Sequence, residues 1–229
     1  MITRLWTPPK KPIDPRMSSY VKLDMAFGVG AGTQLMDKSR YRSHGTISGA
    51  AWADGLHGKA LDFERDDVDY VEIAAAYDQL NFTSEDFSMI IRAYFESLPT
   101  SMDIFTRGEY TINGFYVQVR AAGYMVIYTN QSGQVQLSRS SDGSIAAGSW
   151  KTLGFSRSGS SIEVYINGVE DTSVAGTHEN PAASARGATI GVYTNLTSSP
   201  MDGKIEFLRI FGGIALSTSE HLAWHNALA

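Results

Sequence analysis

The sequence predicts an all-β protein of antiparallel strands that ends in a short helix. Three observations lead there. Stretches of period-two alternation recur along the chain, and each makes a strand with one buried face. Turn dipeptides such as Asn113-Gly114, Ser132-Gly133 and Asp142-Gly143 separate them. One stretch, Trp150 to Thr172, carries two hairpins in succession. In it Leu153 and Phe155 alternate with polar or small neighbours, and Ser158-Gly159-Ser160 supplies a turn. Ile162, Val164 and Ile166 then alternate with Ser161, Glu163 and Tyr165, and Asn167-Gly168 closes the second hairpin. Asn-Gly suits a type I′ turn, because both central residues need positive φ and that turn matches the strand twist.

The chain has 229 residues, which allows one large domain or two small ones. No linker interrupts the middle, so one domain is expected over residues 20–229, preceded by an arm over residues 1–19. A chain of this size buries roughly 70–75% of its unfolded surface and needs no staples. There is no cysteine, which removes disulfide frameworks and thiolate metal sites. A formal charge of −5 argues against a nucleic-acid surface. No stretch is long and apolar enough to cross a membrane as a helix. The N-terminus, MITRLWTPPKKPIDP, has no apolar segment of the kind a signal peptide needs. Asn81, Asn130 and Asn195 each open an N-glycosylation pattern and are read as turn residues.

In the arm, Pro8, Pro9, Pro12 and Pro15 favour extended or polyproline structure. Leu5 and Trp6, with Lys10 and Lys11, make it a candidate partner-binding segment that orders against an assembly. Tyr20 to Met25 is the first strand. Gly28 to His44 is a loop whose glycines lack the Lys-Ser/Thr of a phosphate loop. Short strands follow at Gly45 to Ala51, Gly58 to Phe63 and Asp69 to Ile73, with a helical turn at Tyr77 to Leu80. Phe87 to Glu96 is the clearest core strand, with Phe87, Met89, Ile91, Ala93 and Phe95 on one face. A meander continues through Met102 to Arg107, Gly114 to Arg120, Tyr124 to Thr129 and Gln134 to Ser138. After the paired hairpins come a loop at His178 to Arg186 and strands at Ala188 to Tyr193 and Lys204 to Phe211. Ser217 and Glu220 form a capping box, so Ser219 to Ala227 is a short terminal helix.

Four stretches, in order, resemble laminin-G-like, concanavalin-type jelly rolls. They are Tyr20 to Asp24, the pair Gly58 to Phe63 with Asp69 to Ile73, the hairpin stretch from Trp150 to Gly168, and Asp202 to Phe211. The resemblance implies an antiparallel two-sheet jelly-roll sandwich. It does not choose a function, since that fold hosts lectins, glycosidases, adhesion modules and virion proteins. Similar jelly rolls often hold a structural Ca2+ between the loop after the first strand and the last strand, and Asp37 and Asp202 occupy comparable positions. The sequence departs from the pattern at Arg40 and Arg42, whose charge would repel a cation.

Glucanases of this fold carry closely spaced carboxylates on one strand face. The nearest acidic cluster, Glu64 to Asp69, reads as a turn; Asp62 and Glu64 could share a strand face. His221 and His225 are spaced to share a metal on the last helix, but no third ligand is placed, and they read as a solvated pair. No G-x-S-x-G elbow exists. Sugar binding needs an aromatic platform with polar partners; Trp52, Tyr110, Phe115, Tyr116, Tyr124, Tyr128 and Tyr193 are its candidates. Two function classes follow. One is a non-catalytic structural protein of a virion, such as a phage capsid decoration or tail protein, homo-oligomeric and needing no cofactor. The alternative is a carbohydrate-binding module for surface glycans. Either places the protein on a virion or an extracellular surface.

Overall fold

The structure, a computed structural model, describes residues 17–229. Its elements are α1 (Met17–Tyr20), β1 (Val21–Met25), β2 (Gln34–Leu35), β3 (Gly45–Ser48), β4 (Ala51–Asp54), β5 (Lys59–Phe63), β6 (Tyr70–Ile73), β7 (Phe87–Phe95), β8 (Met102–Glu109), β9 (Asn113–Arg120), β10 (Tyr124–Gln131), β11 (Gln134–Ser140), β12 (Trp150–Ser158), β13 (Ser161–Ile166), β14 (Val169–Glu170), β15 (Thr172–Val174), β16 (Ala188–Ile190), β17 (Gly203–Gly212) and α2 (Thr218–Leu228). Among the described residues, one sheet runs β14-β13-β12-β7-β17-β5-β4, with β1 also on β17. The other runs β15-β11-β10-β9-β8-β16-β6-β3-β2. All pairings within them are antiparallel.

The inner faces meet in one apolar core. Phe87, Met89, Ile91, Ala93 and Phe95 of β7 face it together, as their alternation predicts. Ile162, Val164 and Ile166 of β13 join them. Asn167 and Gly168 both have positive φ, 52° and 75°, the geometry of a type I′ turn. Phe82, Phe87, Phe105, Phe115 and Phe155 make the aromatic centre, where Phe82 stacks on Phe87 at 4.5 Å.

Two expected elements are placed differently. The stretch from Gly45 to Ala51 is not one strand: β3 lies in the second sheet and β4 in the first. Gly49 makes the corner with φ +77°, and a Cβ there would lie 1.7 Å from Asp69 Oδ1. Helix α2 has its capping box at Ser217 and Glu220, but it is not a solvated cap. It packs on the outer face of the first sheet, with Leu228 beside Ile90 and Phe211, and Trp224 against Phe207 and Phe211. Of the three asparagines read as turn residues, Asn130 lies within β10 and is fully buried, its Oδ1 accepting from the Thr111 amide.

Candidate functional site

Where α2 ends, the outer face of the first sheet opens to solvent. Strand register lines up one residue from each of four neighbouring strands there. Trp150 of β12 lies opposite Tyr94 of β7, Tyr94 opposite Lys204 of β17, and Lys204 opposite Asp62 of β5. All four have the parity that points away from the core, because their neighbours Ala93, Phe95, Ile205, Leu61 and Phe63 point into it. The Trp150 and Tyr94 rings are 5.7 Å apart and inclined at 50°, which makes a half-buried aromatic ledge. The Lys204 ammonium sits 5.8 Å from the Tyr94 ring centre. It bridges Glu96 at 2.6 Å and Asp62 at 3.1 Å.

Toward α2 the next row is closed. Arg92 donates to Thr152 Oγ1 at 2.8 Å and pairs with Glu206 at 3.1 Å; the two charged side chains are 5% and 7% exposed. Glu206 is the bulged residue of β17, between Ile205 and Phe207. The bulge aims its carboxylate at the β4–β5 turn, where it accepts from the Leu56 and His57 amides. Burial presses the Arg92 guanidinium below its ordinary pKa, against the opposing pull of Glu206.

Away from α2 the ledge borders a cleft of about 350 Å³, lined by Glu64, Arg65, Asp66, Ser97, Pro99 and Asp202. Asp202 accepts from the Ser97 hydroxyl. Arg65 is held by the Pro200 carbonyl and the Thr100 hydroxyl. Loss of water around Glu64, then the nearby carboxylates of Asp62, Glu96 and Asp202, raise its pKa. Burial alone would lower that of Lys204, but its hydrogen bonds to Glu96 and Asp62 win and raise it. The surface therefore joins an aromatic ledge to fixed donors and acceptors.

The structure scatters the residues singled out from sequence. Tyr116, Tyr124, Tyr128 and Tyr193 do come together, on the outer face of the second sheet. Tyr116 and Tyr128 are only 3% and 8% exposed, so they form a small secondary core and not a platform. Tyr110 is exposed beside them, its amide donating to the Tyr193 hydroxyl. Phe115 is in the main core, and Trp52 packs against its edge while donating to the Gly32 carbonyl. Asp37 and Asp202 do not converge. Asp37 bridges to Met25, which pairs with Leu208, whereas Asp202 precedes the other end of β17. Six residues of strand, roughly 20 Å, separate those levels. Fully buried, Asp37 accepts from the amides of Asp24, Ser39 and Ser43 and from the Ser39 hydroxyl, so it pins its own loop and has little left to offer a cation. Among the described residues no group of three or more His, Asp or Glu is placed to hold a metal. His221 and His225 are not a solvated pair: each is spent on a hydroxyl of β12, Ser156 and Thr152 respectively. Leu5, Trp6, Lys10 and Lys11 lie outside the described residues.

Sequence reasoning missed Tyr94, Trp150 and Lys204. A parity signal was present. Tyr94 is out of step with the apolar run of β7, and Trp150 is out of step with Leu153 and Phe155, so both rings point outward.

No curated protein matches the chain. Among solved structures it is similar to domain 4 of AbnA, a GH43 extracellular arabinanase from Geobacillus stearothermophilus, solved in complex with arabinotriose. The identity is 22% and the TM-score 0.60, over 89% of this chain and 97% of that one. It is similar too to the binding domain of Paraclostridial Mosquitocidal Protein 1, at 14% identity and TM-score 0.70, and to the binding domain of Botulinum Neurotoxin DC in complex with SialylT, at 15% and 0.65. It spans about half the length of those two chains, 53% and 52%, while they cover 93% of it. These likenesses establish the fold. A family model described as the concanavalin A-like lectin/glucanases superfamily matches residues 66–220. With well over half its length so matched, the chain belongs to the concanavalin A-like lectin/glucanases superfamily.

Proposed function

We propose that this chain is a non-catalytic glycan-binding module whose saccharide site is the Trp150–Tyr94 ledge with Lys204, Asp62 and the adjoining cleft. The observation that carries the reading is the row itself. Two half-buried rings stand beside an ammonium and two carboxylates, on four strands that hold their spacing. A sugar ring needs both an apolar face to stack on and oriented polar groups for its hydroxyls. The arabinotriose and SialylT held in complex by similar structures support a glycan ligand by analogy of fold.

Binding and not hydrolysis suits the carboxylates. Asp62 and Glu96 each give one oxygen to the Lys204 ammonium, which fixes them in place as acceptors for a hydrogen-bonding ligand. The reading as a virion component drew on the arm together with the absence of cysteines, of an acid pair and of a signal peptide; residues 1–16 of the arm, with Leu5 and Trp6, lie outside the described residues, and the similar structures give that reading no support. Titration of the full chain with neutral oligosaccharides, arabinotriose, lactose and cellobiose among them, tests the proposal by calorimetry. Saturable heat that Trp150→Ala abolishes supports it. Heat unchanged in that variant would move the site elsewhere, and no heat with any saccharide would end the reading.

A further inference from the structure

The ledge is ringed by more negative than positive charge, and its two cations are already engaged. Lys204 is held between Glu96 and Asp62, with its side chain only 22% exposed. Each terminal nitrogen of the Arg65 guanidinium donates one bond, to the Pro200 carbonyl and the Thr100 hydroxyl, which anchors the side chain. Against these stand Asp62, Glu64, Asp66, Glu96 and Asp202, five carboxylates to two cations. Glu64 and Asp66 project to solvent at the mouth of the cleft.

We infer that the site is selective for uncharged saccharides and rejects sugars that carry a carboxylate, such as sialic and uronic acids. The inference rests on the glycan-binding reading of the same site and adds the class of sugar. A sugar hydroxyl can donate to a carboxylate and so gains from this rim. A sugar carboxylate cannot donate, and it meets the exposed Glu64 and Asp66 at the mouth, where Lys204 is already paired with two carboxylates and, among the described residues, Arg65 is the one cation beside them. At the protein surface, like charges a few ångströms apart repel each other until salt screens them, which is enough to decide between two otherwise equal ligands. The Glu64 pKa is raised first by loss of water and then by the carboxylates of Asp62, Glu96, Asp202 and Asp69, and that second cause reflects the same crowding of negative charge.

The full chain is titrated with matched pairs that differ by one carboxylate: lactose against 3′-sialyllactose, and cellobiose against cellobiouronic acid. The neutral member should bind at least tenfold more tightly at low salt, and the gap should narrow as ionic strength rises. Glu64→Gln with Asp66→Asn should shift the ratio toward the acidic member by tenfold or more. Melting temperature serves as the check on folding, and the salt series on the wild-type chain needs no variant. Acidic and neutral members binding equally would overturn the charge inference and leave the glycan site standing. So would a gap that neither salt nor the double variant changes. Failure of every saccharide to bind would remove both.

Discussion

His221 lies face to face with Tyr165, their ring centres 3.8 Å apart and their planes within 13°. Its Nε2 is 2.8 Å from the Ser156 hydroxyl, which also donates to the Leu216 carbonyl. The ring fits because residue 154 is glycine: a Cβ there would come within 2.7 Å of His221 Nδ1. The helix is thus docked by a neutral imidazole. Burial lowers the His221 pKa to about 3. A second buried histidine, His178, lies between the Thr129 and Ser138 hydroxyls, and burial, helped by Arg157, lowers it to about 4.

These two histidines predict loss of stability in acid. Each has its folded pKa below the ordinary 6.5, so between those values the unfolded chain binds more protons. Their contribution is complete above about 6.5 and falls as the pH drops toward 4 and 3, by up to about 1.4 kcal/mol per pH unit for each ring. Urea midpoints across that range should show the slope. His221→Gln should be less stable at pH 8 and should flatten the slope. An unaltered slope in both His221→Gln and His178→Gln would refute the assignment.

Asp103 predicts the opposite trend. It is fully buried beneath the outer face of the second sheet, where Gln118 and Thr106 donate to it. Burial outweighs those bonds and raises its pKa to about 7. The folded state therefore holds an extra proton between about 4 and 7, and stability from this group declines as pH rises through that window. Asp103→Asn should remove the decline while keeping an acceptor and adding a donor. The difference in melting temperature between variant and wild type should grow in the variant's favour from pH 4 to pH 8.

Gly168 should resist substitution more than its turn geometry alone requires. Positive φ makes a β-branched residue cost about 1–2 kcal/mol. A Cβ at this position would also lie 2.7 Å from the Leu222 Cα, inside α2. Gly168→Val should accordingly lose more than 2 kcal/mol in urea unfolding and loosen α2, seen as faster amide exchange at Leu222 and His225.

Breaking the buried pair of Arg92 and Glu206 should cost about 3–5 kcal/mol, because the partner left behind is an uncompensated charge. Glu206→Ala also strips the Leu56 and His57 amides of their acceptor. The double variant Arg92→Met with Glu206→Met should recover much of the loss in equilibrium unfolding. A double variant as unstable as the sum of the singles would show that the two residues act independently.

The proposed site predicts a local pattern of affinity. Trp150→Ala and Tyr94→Ala should each weaken saccharide binding tenfold or more, about 1.4 kcal/mol, with the folded spectrum retained. Tyr124→Ala, on the opposite sheet, should leave it unchanged. Incubation with arabinan, β-glucan or xylan should release no reducing ends. Release that disappears in Asp62→Asn or Glu64→Gln would restore a hydrolytic reading.

The strands were legible because alternation is local: β7 and the hairpins through Gly168 lie where parity and turn chemistry put them. The site was not legible because it is assembled by strand order. Asp62, Tyr94, Trp150 and Lys204 span most of the chain, and alternation says which way each points but not which strand lies beside it. The histidines of α2 misled for another reason. They share the buried face with Leu228, and polarity alone reads such a residue as solvated until a hydroxyl partner is known. Asp37 was expected to offer a cation its oxygens, yet the nearest amides belong to its own loop.

Strand β17 has a place in the sheet that governs when the fold can be finished. It pairs with β7 along one edge, and with β5 and then β1 along the other. Until residues 203–212 leave the ribosome, three earlier strands lack the neighbour that completes their hydrogen bonding. Synthesis at about 5–20 residues per second therefore holds the first sheet open for many seconds. Pairing over such long separations is also slow in itself. The nascent chain spends that interval with apolar strand edges such as that of β7 uncovered, and the arrival of β17 is the closing step of the first sheet.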